Sequence, residues 1–140
     1  MVDWNCKHTW RRSFVNTGWC LFGCSIGDFA TIFAFQQFDH DYAVWSVMAL
    51  AIINGLITSV FLETFILMRQ GFSFGSAIDT ALKMSFLSML AMELAMNTVD
   101  IFLAGGVLTW GVILPMLTAG FIVPLPYNYY RLKKYGVACH

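Results

Sequence analysis

Four apolar runs fill most of this chain, each near the ~20 residues a helix needs to cross a bilayer. They extend roughly from Thr17 to Gln37, Ala43 to Met68, Ala77 to Val99 and Val107 to Tyr127. The connections between them, Phe38–Tyr42, Arg69–Ser76 and Asp100–Gly106, are short. Short connections force consecutive helices to run antiparallel. The expected fold is all-α: an integral membrane antiparallel four-helix bundle, in a single domain over residues 1–140. Composition agrees, with 59% hydrophobic residues, 11% charged residues and a mean hydropathy of +0.68. A soluble domain of this length lacks the interior to hide so much apolar surface. The first run is too long for the apolar core of a signal peptide and lacks a small-residue exit site, so it is expected to stay in the protein. The cysteines, Cys6, Cys20, Cys24 and Cys139, do not form a secreted disulfide pattern.

Charge placement orients the bundle. In the four-crossing arrangement Lys7, Arg11, Arg12, Arg69, Lys83, Arg131, Lys133 and Lys134 all fall towards one face of the membrane. The opposite connections carry Asp39, Asp41 and Asp100. By the positive-inside rule both termini are expected in the cytoplasm, as in a multi-pass protein of the plasma membrane. The net charge of zero gives no electrostatic footprint for nucleic acid, and none is expected as a partner. Ser76-Ala77-Ile78-Asp79 has the Ser-x-x-Asp spacing of a capping box and is expected to start the third helix. Asp79 and Lys83 stand one turn apart and are expected to pair. Pro115 is expected to kink the fourth helix, and Pro124 and Pro126 to mark its end.

Three carboxylates lie inside the runs: Asp28, Glu63 and Glu93. A charged side chain at membrane depth costs about 2.5–3.5 kcal/mol even on lenient scales. These groups must face the interior, be protonated or hold a cation. At about 100° per residue, Ser85, Met89, Met92, Glu93, Met96 and Asp100 share one stripe of the third helix. Leu87, Leu90, Leu94 and Ile101 fall on its far side. Thioethers are soft ligands that suit Cu(I). In the first helix Cys20, Cys24 and Asp28 stack at i, i+4, i+8, beside Gly23 and Gly27, which would admit another helix closely. If the first and third helices face each other, thiols, thioethers and carboxylates meet in one interior. Methionine also fills irregular gaps in any core, so packing and ligation both remain open for the stripe. Glu63 lies near the basic end and reads as reaching the interface. Asn54 and Thr58 read as interhelical hydrogen-bonding groups. On the tails Cys6, His8, Cys139 and His140 are expected on one side of the membrane and together would make a Cys2His2 set. The loop Asp39-His40-Asp41 reads as solvated.

The run Trp19-Cys20-Leu21-Phe22-Gly23-Cys24-Ser25-Ile26-Gly27-Asp28 resembles the His-Cys-x-x-Gly-Cys-x-x-Gly-(Glu/Asp) signature of the prokaryotic domain-of-unknown-function family 4396. Asp79-Thr80, Met92-Glu93 and Asn97 resemble its later pattern, and Pro124 to Lys134 its closing region. Trp19 stands where that pattern has histidine and Met96 where it has aspartate, which makes the set softer. The resemblance implies a small multi-helix membrane protein and no particular activity. Locally, Met92-x-x-x-Met96 in a membrane helix, with Cys139-His140 at the end, is similar in site chemistry to the eukaryotic high-affinity copper transporters.

Two functions are expected from these readings. One is a soft-metal conduit or carrier, for copper as Cu(I), with ligands among Cys20, Cys24, Asp28, Met89, Met92, Glu93, Met96, Asp100, Cys139 and His140. The other is a small accessory subunit of a larger membrane complex, such as a copper-dependent oxygenase or respiratory enzyme. Here 16% aromatic content and Gly105, Gly106, Gly111 and Gly120 would serve helix contacts, and a homo-oligomer is equally compatible. No nucleophile–base pair, phosphate loop or dinucleotide motif is present, so no enzyme is expected.

Overall fold

A computed structural model describes residues 4–38 and 41–134. The described chain forms five helices: α1 (Lys7–Gln37), α2 (Val44–Arg69), α3 (Phe74–Ala104), α4 (Trp110–Ile122) and α5 (Leu125–Lys134). They make four crossings, because α4 and α5 together span Trp110–Lys134 as one apolar stretch broken at Val123 and Pro124. Each crossing is long and apolar enough to traverse a membrane. The protein is an all-α antiparallel four-helix membrane bundle. Each helix packs on the next in the chain, and α1 also touches α3, α4 and α5, which closes the bundle.

Several boundaries move outward from the sequence expectation. α1 begins at Lys7, three turns before Thr17. Those turns carry Lys7, Arg11 and Arg12 and rest on α5 rather than in lipid. Ser13 donates to the Leu125 carbonyl (3.2 Å), and Asn128 donates to the Thr17 hydroxyl (2.8 Å). Tyr129, fully buried, stacks on Trp4 with ring centroids 4.9 Å apart, and Trp10 packs beside it at 4.4 Å. This aromatic cap ties the two chain ends together at the basic end.

The third helix starts at Phe74, with Ser73 as its N-cap residue and no side-chain capping bond. The Ser76–Asp79 capping box does not form, because Ala77 N–H already bonds the Ser73 carbonyl (2.8 Å). Asp79 instead pairs with Lys83 at 2.8 Å, as the i, i+4 spacing predicts. α3 also continues past Val99 to Ala104, where Gly105 (φ 65°) ends it in a left-handed turn whose N–H bonds the Ile101 carbonyl. Asp100 is therefore helical and buried, not part of a loop. α4 carries Pro115 without ending there. Pro124 and Pro126 do mark a stop, but a further helix follows at once, with the Asn128 N–H on the Pro124 carbonyl (2.9 Å). The glycines assigned to the fourth helix separate by role. Gly105 and Gly106 turn the chain after α3, with Gly106 close against Val44 of α2; Gly111 meets nothing, and Gly120 packs closely against Met96 of α3.

Candidate cation site in the bundle interior

The face of α3 that turns inward is the one its periodicity marks. Ser85, Met89, Met92, Glu93, Met96 and Asp100 are all buried, as are Ser88 and Asn97. Leu87 and Leu94 face outward at 57% and 51% exposure. Ile101 and Leu90 are half-buried, a departure from the expected far side, and Ile101 packs on the Ile32–Met48–Ala51 cluster. On α1, Cys20, Cys24 and Asp28 are buried along one stripe. α4 repeats the same i, i+4, i+8 spacing with Val112, Met116 and Gly120.

These three stripes meet in a core of unusual chemistry. The main cluster of buried apolar side chains consists of Cys20, Cys24, Met89, Met92, Met96, Val112 and Met116. Every member but Val112 carries sulfur. A packed core is ordinarily built from leucine, isoleucine, valine and phenylalanine, and this chain has those in quantity on its outer faces. Two glycines seat the inward groups. A β-carbon at Gly120 would lie 2.9 Å from the Met96 sulfur, and one at Gly55 would overlap the Glu93 carboxyl. Met96 thus reaches to α4 and Glu93 to α2.

A polar row lies against this sulfur. The Asn97 amide donates to Asp28 Oδ1 (3.1 Å) and to the Glu93 backbone carbonyl (3.0 Å), and its Nδ2 stands 3.5 Å from Glu93 Oε2. The Cys24 thiol neighbours the Ser59 hydroxyl and the Glu93 carboxyl. Asp28 stands within electrostatic range of both Glu93 and Asp100. Yet Asp28 Oδ2, Glu93 Oε1, Asn97 Oδ1 and both Asp100 carboxyl oxygens are buried with no hydrogen-bond partner among the described residues. Buried polar atoms in proteins are nearly always satisfied, so five orphaned acceptors in one row call for either protons on the carboxyls or a bound cation.

The described residues contain no group of three or more His, Cys, Asp or Glu side chains gathered as metal ligands. Any metal held here must rest on thioethers together with one or two thiols or carboxyls, and the sulfur cluster has that donor set. Cys139 and His140 lie outside the described residues, as do Asp39 and His40. Of the proposed tail set, Cys6 is half-buried and its N–H reaches the Tyr129 hydroxyl (3.3 Å), while His8 lines a cavity.

That cavity, about 910 Å³, opens at the basic end between α1, α2, α3 and α5. Arg11, Arg12 and Arg131 line it, and it reaches inward to Cys20, Ser59, Glu63 and Ser85. Glu63 accepts from Ser85 (2.6 Å). It therefore reaches this cavity near the basic end, close to the interfacial position expected of it.

Two participants escape the sequence reading. Met116 sits in a run so uniformly apolar that nothing distinguishes its face, although the Val112–Met116–Gly120 spacing was available. Asn97 is visible only as part of the family pattern, one turn from Glu93. Its bridging role needs α1 in place.

A family profile described as Domain of unknown function (DUF4396) matches residues 9–136. The chain belongs to this family. The match takes in nearly the whole of all four crossings and the three interior stripes. No curated protein matches the chain. No solved structure matches it either.

Proposed function

We propose that this member of the family binds Cu(I) in the bundle interior and passes it across the plasma membrane. The observation that carries the reading is the buried core in which six of seven side chains bear sulfur. Thiol and thioether donors select Cu(I) and are poorly suited to hard cations. The ion accepts two or three such ligands, so it needs no larger acidic cluster. A monovalent cation entering hydrocarbon also needs countercharge, and Asp28 and Glu93 supply it from the adjoining row. Thioethers bind weakly enough to release, as conduction requires. The route runs from Asp100 past Met96, Glu93 and Cys24 to Cys20, which borders the cavity at the basic end. The positive-inside rule makes that end cytoplasmic. Association with copies of itself or with a larger membrane complex is proposed through the outward aromatic faces around Phe102 and Trp110.

The test is Cu(I) retention by the protein purified in detergent under reducing conditions, against a colorimetric Cu(I) chelator. The expected result is bound Cu(I) that falls sharply in Met92→Leu/Met96→Leu and in Cys24→Ser. Absence of retained copper from the unaltered protein overturns the reading. Co-elution with a fixed set of other membrane proteins, again without copper, would assign it to an accessory subunit.

A further inference from the structure

We propose that the cavity at the basic end is a binding site for a phosphate-bearing ligand, with the headgroup of an anionic phospholipid as its source. The cavity holds about 910 Å³, room for a headgroup and the first part of an acyl chain. Its walls divide as an amphiphile requires. Arg11 and Arg12 from α1 and Arg131 from α5 supply guanidinium groups, while Val15, Trp19 and Ile66 are among its apolar walls. The charge is unbalanced. Three arginines face one carboxylate among the lining residues, Glu63, which accepts from Ser85 and stands within electrostatic range of Arg131. Arg11 and Arg131 form no ion pair with any described carboxylate; Arg131 lies over the Tyr127 ring at 5.7 Å. The bundle's described surface ion pair, Lys83–Asp79, lies outside the cavity.

Guanidinium forks match phosphate oxygens in geometry and bind them by charge-assisted hydrogen bonds. Basic pockets between membrane helices at the cytoplasmic level take anionic headgroups for this reason. The site also has a structural consequence. Its arginines come from both ends of the chain, so a bound phosphate would clamp α1 to α5 beside the Trp4–Trp10–Tyr129 cap. The inference does not rest on copper binding, since none of its three arginines belongs to the sulfur core.

The experiment measures retention and thermal stabilisation of the detergent-purified, delipidated protein. The probes are phosphatidylglycerol, phosphatidylcholine and inorganic phosphate. The expected result is a stabilisation by phosphatidylglycerol, on the order of 5 °C at saturating lipid, that zwitterionic phosphatidylcholine does not reproduce. Arg11→Gln/Arg131→Gln should weaken phosphatidylglycerol binding at least about tenfold. Arg11→Lys/Arg131→Lys should keep part of the binding, and Lys83→Gln should keep all of it. Helical content by circular dichroism shows that each variant is folded. Equal stabilisation by inorganic phosphate, lost in the same double variant, supports the phosphate site with a soluble source. Equal stabilisation by both lipids overturns the proposal, as does undiminished phosphatidylglycerol binding by the glutamine variant.

Discussion

Two seams of α1 show how differently one helix can meet its neighbours. Against α2, Gly23 and Gly27 let the backbones touch, and the polar groups between them are used. Thr58 donates to the Gly23 carbonyl (2.7 Å), Asn54 to the Thr31 hydroxyl (2.8 Å), Thr31 to the Gly27 carbonyl (2.7 Å) and Ser59 to the Cys20 carbonyl (3.3 Å). Against α3, the polar groups are larger and charged, and Asp28, Asn97 and Glu93 each keep a buried oxygen without a partner. Both seams lie in the same bundle, under the same need to satisfy polar groups away from water. The first is complete as it stands. The second keeps acceptors that only a proton or a bound cation would satisfy. A seam of the first kind holds the fold, and one of the second kind is where the proposed function puts a ligand.

The contrast breaks most readily at Gly27. A β-carbon there would overlap the Asn54 backbone carbonyl, which cannot swing aside, and would stand 2.5 Å from the Thr58 hydroxyl. Gly27→Leu should separate α1 from α2 and cost about 3 kcal/mol or more, since overpacking at a backbone contact has no rotamer to relax into. Thermal unfolding in detergent, with elution as a single species, checks this. A folded Gly27→Leu protein with unchanged stability would show that the close seam is not structural. Asn54→Leu is the milder version. It deletes one interhelical hydrogen bond but leaves Thr31 bonded to Gly27, so the loss should be on the order of 0.6 kcal/mol and below about 1.7 kcal/mol.

How much of this was legible beforehand follows the same divide. A side-chain period is a local property, and the inward stripe of α3 and the Cys20–Cys24–Asp28 stack of α1 were both readable from it. The order of helices around the bundle is not local. Gly23 and Gly27 read as a site of close approach, but nothing in the sequence says that α2 occupies it while Asp28, the next residue after Gly27, meets α3. Asp100 shows the limit at a boundary. Its position fits both the stripe and the outer connection, and the structure decides for the stripe, because α3 runs on to Ala104 before the left-handed Gly105 ends it. Ser76 shows the converse, a capping signal overridden because Ser73 had already begun the helix.

The α1–α3 seam responds in the opposite sense to the α1–α2 seam. Glu93→Gln keeps the shape that rests on Gly55 while removing an acid buried without a countercharge. A site held for a ligand is often a destabilised one. Glu93→Gln should therefore raise the stability of the ligand-free protein by about 1 kcal/mol while weakening Cu(I) retention. The paired measurement is unfolding without copper and chelator competition with it. A fall in both would place Glu93 among the structural groups, alongside Asn54.

A small stability change, and the sharpest discrimination, is expected at Met116. Met116 is fully buried on α4, and leucine occupies nearly its volume. If the six sulfur side chains are only packing, Met116→Leu conserves everything that matters, and volume-conserving swaps of this kind cost less than about 1.5 kcal/mol. If the sulfur is there as a donor, the same swap leaves the fold intact and removes the one soft ligand that α4 brings to the cluster. Stability should then move by less than about 1 kcal/mol while the Cu(I) affinity falls by about tenfold. The two readings agree on the unfolding curve and part only in the competition assay. Undiminished affinity in Met116→Leu would remove α4 from the site and leave the donors to α1 and α3, and undiminished affinity in Met92→Leu/Met96→Leu as well would return the whole cluster to packing.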